Sequence, residues 1–393
     1  MDTTNSVSID GGGYSAQISL LGGQLLRLKH HEDELVVPAG DATEGAFAGA
    51  VLAPWPNRTQ GGMYSYDGQD YALPVNEETT GAALHGLMVD LPLRVQARKD
   101  SEVQLQGFLE PTEGYPFGLD IVLIYRVSAD IGLSATLMAR YHPQVEPELT
   151  ADELADATDA PSAEDLPLSE PLEPEASPDA DGDSVEIDGE PAGGDDVTET
   201  DVAADPAQED LVQEDLVQKD APQTDTTQQD QAQADDDVAT PARQTAPFGA
   251  GFHPYLTAGG ASLKECRLRL PARTMLRTSP DGAVTGRETV SGDFDLTNGP
   301  LLAGRRIDHA FTDLPPEGWT AELVHGPSGF VVRMIADSPW VQVYTGERID
   351  RAGVAIEPMS CPPNALNSGE DLVHLAPGEW FRMGYSIEAI RVD

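Results

Sequence analysis

The sequence predicts an all-β fold, either a sandwich or a closed sheet, that carries one long acidic insertion. Short apolar runs alternate with polar residues and are separated by Gly, Pro and Asp, a pattern typical of antiparallel β architectures. No stretch keeps a helical period for more than a turn or two. The pattern stops between residues 144 and 246, where 32 of the 68 acidic residues occur with only two basic ones. We therefore expect one β domain, made of residues 1–143 and 247–393, and a separate insertion.

Before the insertion, the strand signals are period-two alternation and turn residues. The segment at 63–75 contains Asp67-Gly68 between two alternating runs, which predicts a β-hairpin. The predicted strands of this part are YSAQISL (14–20), the two arms of MYSYDGQDYALPV (63–75), VQLQGFL (103–109), LDIVLIYRV (119–127) and LSATLMARY (133–141).

After the insertion the same pattern returns. GPSG at 326–329 separates two apolar runs and predicts a second hairpin turn. The predicted strands are KECRLRL (264–270), TAELVHG (320–326), FVVRMIA (330–336), WVQVYTG (340–346) and FRMGYSIEAI (381–390).

The insertion, residues 144–246, is rich in Asp, Glu, Gln, Ala, Thr and Pro and has no aromatic residues. Such a composition buries too little apolar surface to offset the entropy lost on ordering, so we expect a disordered loop. The strand ending near Tyr141 and the stretch starting near Pro247 are expected to be hairpin neighbours. Residues 179–190 resemble an EF-hand calcium loop, but Ser184 stands where glycine is required. No metal site is predicted.

Charge and composition exclude several classes of function. The formal net charge is −45, and no part of the chain offers the basic face that nucleic acid binding needs. The N-terminal residues have neither the basic nor the apolar region of a signal peptide, and no apolar run is long enough to span a membrane. Cys266 and Cys361 are too few for a disulfide framework. These features favour a cytoplasmic protein whose cysteines pack in the core.

Two stretches place ionisable side chains next to prolines. In VAIEPMSCPPNALNSG (354–369), Glu357 precedes Pro358, which has no backbone donor. We therefore expect the strand to end or bulge at this carboxylate. In PFGAGFHPYL (247–256), His253 lies between two aromatic residues and is followed by another proline. Both side chains are candidates for proton transfer, and ordinary packing or loop contacts are the alternative for each.

Together with five further motifs, these stretches resemble the aldose 1-epimerase (galactose mutarotase) family. The resemblance extends over nearly all of the chain except residues 144–246, and the motifs occur in family order. It implies a large twisted antiparallel β-sandwich, the galactose mutarotase-like supersandwich, and cofactor-free interconversion of the α- and β-anomers of a free hexose such as galactose or glucose. The further motifs are APWPNRTQGG (53–62), YALPVNEE (71–78), LHG (84–86), RIDHAF (306–311) and VQVYTGE (341–347).

The resemblance also implies roles for individual residues. Glu357 matches the family's base and His253 its acid. The residues that match its substrate-binding positions are His85, Asp308, Arg58 and Asn57. The family often has an NH[ST]YF stretch where this chain has GFHPYL, which puts the identity of the sugar in question.

Three alternatives remain open from the sequence. A hexose-6-phosphate 1-epimerase of the same superfamily needs basic side chains beside the pocket to bind the phosphate. The candidates for that role are Arg305, Arg306, Arg348 and Arg351. A non-catalytic carbohydrate-binding protein, or an interaction protein that works through its acidic loop, could have the same fold. The sequence does not predict an oligomeric state.

Overall fold

The structure is a computed structural model that describes residues 5–143, 245–279 and 282–392. Nearly all of the predicted insertion, including the calcium-loop-like stretch at 179–190, lies outside the described residues. The described strands before it are β1 (Ser6–Gly11), β2 (Tyr14–Ser19), β3 (Leu25–His30), β4 (Asp33–Glu34), β5 (Val51–Leu52), β6 (Arg58–Thr59), β7 (Met63–Tyr66), β8 (Gln69–Ala72), β9 (Ala83–Leu84), β10 (Arg94–Lys99), β11 (Glu102–Leu109), β12 (Gly118–Ser128) and β13 (Gly132–His142).

The described strands after the insertion complete the fold, together with one short helix, α1 (Ala365–Ser368). These strands are β14 (Ala246–Phe248), β15 (Gly251–Phe252), β16 (Tyr255–Leu256), β17 (Cys266–Arg269), β18 (Thr274–Thr278), β19 (Val284–Thr289), β20 (Asp308–Thr312), β21 (Trp319–His325), β22 (Phe330–Ala336), β23 (Trp340–Tyr344), β24 (Val354–Met359), β25 (Val373–Leu375) and β26 (Trp380–Arg391).

Two large antiparallel sheets form the body of a twisted β-sandwich, so the predicted all-β fold is confirmed. One sheet has the strand order β10-β11-β12-β13-β26-β22-β21-β17. The other has the order β19-β18-β20-β23-β24-β15-β5, with β16 also paired to β24. A four-stranded sheet of β1 to β4 and three two-stranded sheets complete the described strands.

Alternation along the strands explains how the two sheets pack. On β12, Leu119, Ile121 and Leu123 face one side and belong to the main core, which also contains Val343 and Ile356 of the second sheet. Burial of this apolar surface is the main stabilising term for such a fold. Cys266 and Cys361 are buried free cysteines, and burial raises the pKa of Cys361 to about 12. The cysteines therefore act as small apolar core residues, as predicted.

The predicted hairpins are confirmed by the register. β7 pairs with β8 across Asp67 and Gly68, and both of these residues have the positive φ of a tight hairpin turn. β21 pairs with β22 across the predicted turn at 326–329, where Gly329 is left-handed. Among the described residues, no helix has both the length and the apolar character that crossing a bilayer requires.

The prediction of hairpin neighbours on either side of the insertion is wrong. β13 pairs with β12 and β26, whereas β14 pairs with β25. The two ends nevertheless lie against one stretch of chain, because Tyr141 bridges to Pro377 and Ala246 pairs with Leu375. The sequence pattern showed the two strands that flank the insertion. It did not show that both contact the segment around Leu375 and Pro377 and not each other.

Candidate active site

Three neighbouring strands of the second sheet present polar side chains on the face turned away from the main core. In the register, Glu357 of β24 lies opposite Gln342 of β23, and Asp308 of β20 pairs with Tyr344 of β23. The amide of Gln342 donates a hydrogen bond of 2.6 Å to Asp308 Oδ1. Because side chains alternate along a strand, Val343 and Ile356 enter the core while Glu357 and Gln342 face this site.

The strand does not end at Glu357, as the sequence analysis expected; β24 continues through Pro358 to Met359. The interruption lies in the adjacent strand, where β15 and β16 are separated by His253-Pro254. Ile356 and Ser360 donate their N–H groups to this side, so the donor missing at Pro358 faces Phe252, the last residue of β15, next to the interruption. Pro254 and Pro358 together open the ladder at the point where His253 turns toward Glu357.

The acid–base candidates are in contact. His253 Nε2 lies 3.3 Å from Glu357 Oε1, and their side chains are 6% and 2% exposed. Neither His253 Nδ1 nor Glu357 Oε2 has a hydrogen-bond partner among the described residues. Buried polar atoms are rarely left unpaired in folded proteins. The cavity beside these atoms is therefore a place for a polar ligand.

Burial shifts both groups toward their neutral forms. It raises the pKa of Glu357 well above its usual range; the nearby Asp308 raises this pKa further, and Arg58 opposes the rise. Burial also lowers the pKa of His253 to about 4. Since the two groups interact directly, their protons are best assigned to the pair. The raised pKa of Glu357 favours retention of one proton on this pair.

A second unit, built around β6 and β9, presents His85 and Asn57. Both residues have positive φ, and His85 N–H donates to the carbonyl oxygen of Asn57. In return, Asn57 N–H donates to His85 Nδ1 at 3.2 Å. An accepting Nδ1 requires the proton of neutral imidazole to be on Nε2. Burial, His253 and nearby arginines keep the pKa of His85 well below its usual value, so His85 is a neutral donor.

The hydrogen bond from Asn57 also decides what His85 can bind. The candidate ligand atoms of His85, His253 and Glu357 lie within 4.8 Å of one another, close enough to suggest a metal site. Coordination through His85 Nε2 needs a lone pair on that nitrogen, but the contact with Asn57 places a proton there. The donor set therefore suits a hydroxylated ligand better than a cation.

All six residues predicted for the site line one cavity of about 80 Å³. A second cavity of about 100 Å³ adjoins it and shares Asn57, Arg58, Asp308 and Gln342. A larger cavity of about 390 Å³ shares only Gly45 and Phe47 with the first and contains none of the six. We place the site in the smaller cavity, because the paired ionisable groups and unpaired buried atoms are found there.

Other residues line the same cavity besides the six that were predicted. Phe47 packs edge-on against His85, with 4.7 Å between ring centres, and Glu77, Gln342, Tyr344 and Arg348 also line it. Glu77, Gln342 and Tyr344 lie inside motifs that were already recognised, so membership of a motif was the available signal for them. Arg348 directly follows the motif at 341–347 and was considered only for a phosphate site. Trp55 and Trp340 are buried in the protein and do not line this cavity.

Of the four arginines considered for a phosphate site, only Arg348 lines the cavity. Arg351 donates to the backbone carbonyls of Arg305 and Leu302. Arg305 donates to the carbonyls of Gly292 and Asp293. These two arginines therefore stabilise loops away from the cavity.

Comparison with known proteins places this chain in a family. The chain is 30% identical to the uncharacterized protein YihR of Escherichia coli (strain K12) over 387 residues, 97% of this chain and 92% of YihR. A crystal structure of a GalM/aldose epimerase homologue from C. elegans has a TM-score of 0.67 at 14% identity and covers 99% of both chains. A putative aldose 1-epimerase from Escherichia coli K12 has a TM-score of 0.63 at 16% identity, covering 98% of this chain and 99% of its own.

At these identities the two solved structures establish the fold alone. A sequence model of the family described as aldose 1-epimerase matches residues 5–141 and 236–388. The matched ranges contain all six residues of the predicted site and leave out most of the acidic insertion. The chain belongs to the aldose 1-epimerase family.

Proposed function

We propose that this protein is an aldose 1-epimerase, an isomerase that interconverts the α- and β-anomers of a free hexose such as galactose or glucose. The observation that carries the proposal is the contact between Glu357 and His253, which is buried at 3.3 Å beside a cavity lined by hydrogen-bonding groups. Family membership supports the same class of reaction. Binding alone does not require a proton-transfer pair, which argues against a non-catalytic sugar-binding protein.

The reaction needs one base and one acid on neighbouring oxygen atoms. Glu357, as carboxylate, takes the proton from the hydroxyl on C1, and a carbonyl group forms there as the bond between C1 and the ring oxygen breaks. His253, as imidazolium, donates its proton to the ring oxygen. Rotation about the bond between C1 and C2 exposes the other face of the aldehyde. Closure then reverses each proton transfer.

The protonation of the pair suits this cycle. With one proton on the pair, the form with a carboxylate and an imidazolium differs from the form with a carboxylic acid and a neutral imidazole only in the position of that proton. Ring opening converts the first form into the second, and ring closure restores the first. The raised pKa of Glu357 also makes its carboxylate a stronger base than an exposed one.

The surrounding groups suit a polyhydroxylated ligand. His85 presents an Nε2–H donor, Asp308 is a carboxylate acceptor, and Arg58 is a fixed cationic donor in the same cavity. We assign all three to sugar hydroxyls or the ring oxygen. Asn57 holds His85 through the backbone and sets its tautomer. The Oε1 atom of Gln342, buried without a partner among the described residues, is a further acceptor.

A hexose 6-phosphate is the second candidate substrate, and one observation favours it. Arg348 lines the cavity and its side chain is 54% exposed, so a guanidinium is available to an anionic substituent. A single arginine is less than phosphate recognition commonly uses, and Glu77 already lies 3.5 Å from it. We therefore favour the neutral hexose.

Mutarotation of fresh α-galactose, α-glucose and α-glucose 6-phosphate, followed by polarimetry or NMR, tests the proposal. Glu357→Gln and His253→Asn are each expected to lower turnover by about 10²–10⁴-fold, because each removes a general acid–base group. Glu110→Gln and His142→Asn, at exposed positions, are matched controls and should keep wild-type rates. Near-normal turnover in Glu357→Gln would refute the assigned mechanism. If the wild type binds sugars but does not interconvert their anomers, the protein is a carbohydrate-binding protein and not an epimerase.

A further inference from the structure

Glu77 lies beneath two guanidinium groups that line the cavity. It is 6% exposed and receives two hydrogen bonds from Arg58, Nε to Oε2 at 2.6 Å and Nη2 to Oε1 at 2.8 Å. Arg348 Nη2 lies 3.5 Å from Oε1, and the hydroxyl of Thr80 donates to Oε2 at 2.5 Å. One buried carboxylate thus connects arginines that are 290 residues apart in the sequence.

The charge of Glu77 is retained inside the protein. Burial alone would raise its pKa, but the hydrogen bonds from Arg58 and Thr80, with the charges of Arg58 and Arg348, outweigh that effect and lower the pKa. A bidentate pair of this kind fixes the plane of the guanidinium. Arg58 is therefore held in one orientation, with its partner already bound.

Arg348 is oriented from its own side of the cavity. It lies in a tight turn in which Arg351 N–H donates to the carbonyl oxygen of Gly346 and Arg351 also pairs with Glu347 at 2.8 Å. The backbone N–H of Arg348 donates to the hydroxyl of Tyr344 at 2.7 Å. Its guanidinium makes one long contact with Glu77 and is half-exposed at the cavity. A rigid turn that presents a cationic donor to a cavity suits recognition of a ligand.

We infer that Arg348 is a specificity-determining residue that donates to one hydroxyl of the bound sugar, and that Glu77 positions both Arg348 and Arg58 for this purpose. The inference rests on the proposed function and adds two residues to it. A guanidinium hydrogen-bonds sugar oxygens strongly, and an analogue that lacks the matching hydroxyl loses that charge-assisted bond.

A purely structural role for Glu77 predicts something different. The loop from residue 76 to 82 is closed by its own backbone, with the N–H groups of Asn76 and Glu77 donating to the carbonyl oxygen of Ala82. If Glu77 served only this loop, its substitution would lower stability and leave sugar affinity unchanged. Positioning predicts that the Michaelis constant rises and kcat changes little.

The experiment measures kcat, KM and the sugar dissociation constant for Glu77→Gln, Arg348→Gln and Arg348→Lys, with Arg94→Gln as the exposed control. The substrates are the parent hexose and its 2-, 3-, 4- and 6-deoxy analogues. Both glutamine variants should raise KM and the dissociation constant about tenfold to a hundredfold, the usual range for bonds to charged groups. Arg348→Lys should restore part of the affinity. For Arg348→Gln, one deoxy sugar should bind as well as the parent hexose, although the wild type rejects it.

Several outcomes would overturn the inference. Arg348→Gln with wild-type affinity for the parent hexose, or with an unchanged deoxy-sugar profile, would remove Arg348 from the site. Glu77→Gln with a lower thermal midpoint but unchanged KM would show a structural role. A wild-type protein that neither turns over nor binds any of these sugars would refute this inference and the proposed function together. If the wild type binds sugars without turnover, the proposed function is refuted, and the dissociation constants of the Arg348 variants still decide whether Arg348 binds the sugar.

Discussion

The proton held by Glu357 and His253 decides the pH range in which the site can work. Burial lowers the pKa of His253 to about 4 and raises that of Glu357 well above its usual range. The pair therefore takes up a second proton only near pH 4, and loses its one proton only above the raised pKa of Glu357. An exposed histidine would instead titrate near 6.5.

We expect kcat/KM of the wild type to hold constant from neutral pH down to about pH 5, then to fall as His253 titrates near pH 4. The free enzyme's essential groups determine this profile. Measuring initial mutarotation rates at low sugar concentration across this range is the check. An acid limb centred near pH 6.5 would show that the essential histidine is not in the buried state found here.

The raised pKa of Glu357 also has a cost in stability. Between the ordinary pKa of a glutamate and this raised value, the folded protein binds more protons than the unfolded chain, so stability falls as pH rises. Glu357→Gln should therefore raise the free energy of unfolding at pH 7, by about 1.4 kcal/mol for each unit of the shift. Denaturant unfolding at pH 7 and pH 4 measures it. The gain in the free energy of unfolding should be smaller at pH 4 than at pH 7. A Glu357→Gln variant that is less stable than the wild type at both pH values would contradict this prediction.

At the scale of single elements, β24 shows what the sequence could and could not predict. The position of the strand and of its carboxylate follow from local patterns, whereas the effect of Pro358 does not. A proline shows that one backbone N–H is missing. Which neighbouring strand loses that hydrogen bond depends on the pairing of the sheet. Here β24 stays paired with β23 through Pro358 and Met359, so the strand continues. Strand pairing is a long-range property that one sequence shows weakly.

Glu77 was missed for a similar reason. In sequence it is an acidic residue in a polar loop, and such residues are usually solvated. Its burial becomes intelligible only once Arg58, 19 residues earlier, and Arg348, 271 residues later, are seen beside it. In contrast, the six predicted site residues were found from motifs, and the structure gathers them around one cavity. Their individual roles remain predictions.

At the scale of the whole molecule, the acidic insertion is expected to be dispensable for turnover. We predict that replacing residues 146–244 with a Gly/Ser linker of about a dozen residues leaves activity on a neutral hexose unchanged. Its flanks are held in place, since Tyr141 bridges to Pro377 and Ala246 pairs with Leu375. Closure entropy falls by about 0.6 kcal/mol for each halving of loop length, so stability should rise by about 2 kcal/mol at most.

Turnover and the thermal midpoint of this deletion are the measurements. A same-length variant with Asp→Asn and Glu→Gln across the stretch separates loss of charge from loss of length. Loss of the fold on deletion would show that the insertion is structural. Loss of turnover in a well-folded deletion would show that it contributes to the site, and would favour a function that depends on the acidic segment.

The position of β26 has a consequence for the time course of synthesis. This strand follows the other described strands along the chain, yet it lies inside the sheet that runs from β10 to β17, between β13 and β22. During synthesis, β10 to β13 leave the ribosome well before β26. The edge of β13 that pairs with β26 therefore stays unpaired until β26 has been made. Exposed strand edges are where nascent chains associate wrongly. We therefore expect chaperones to bind the edge of β13 on the nascent chain until β26 is in place.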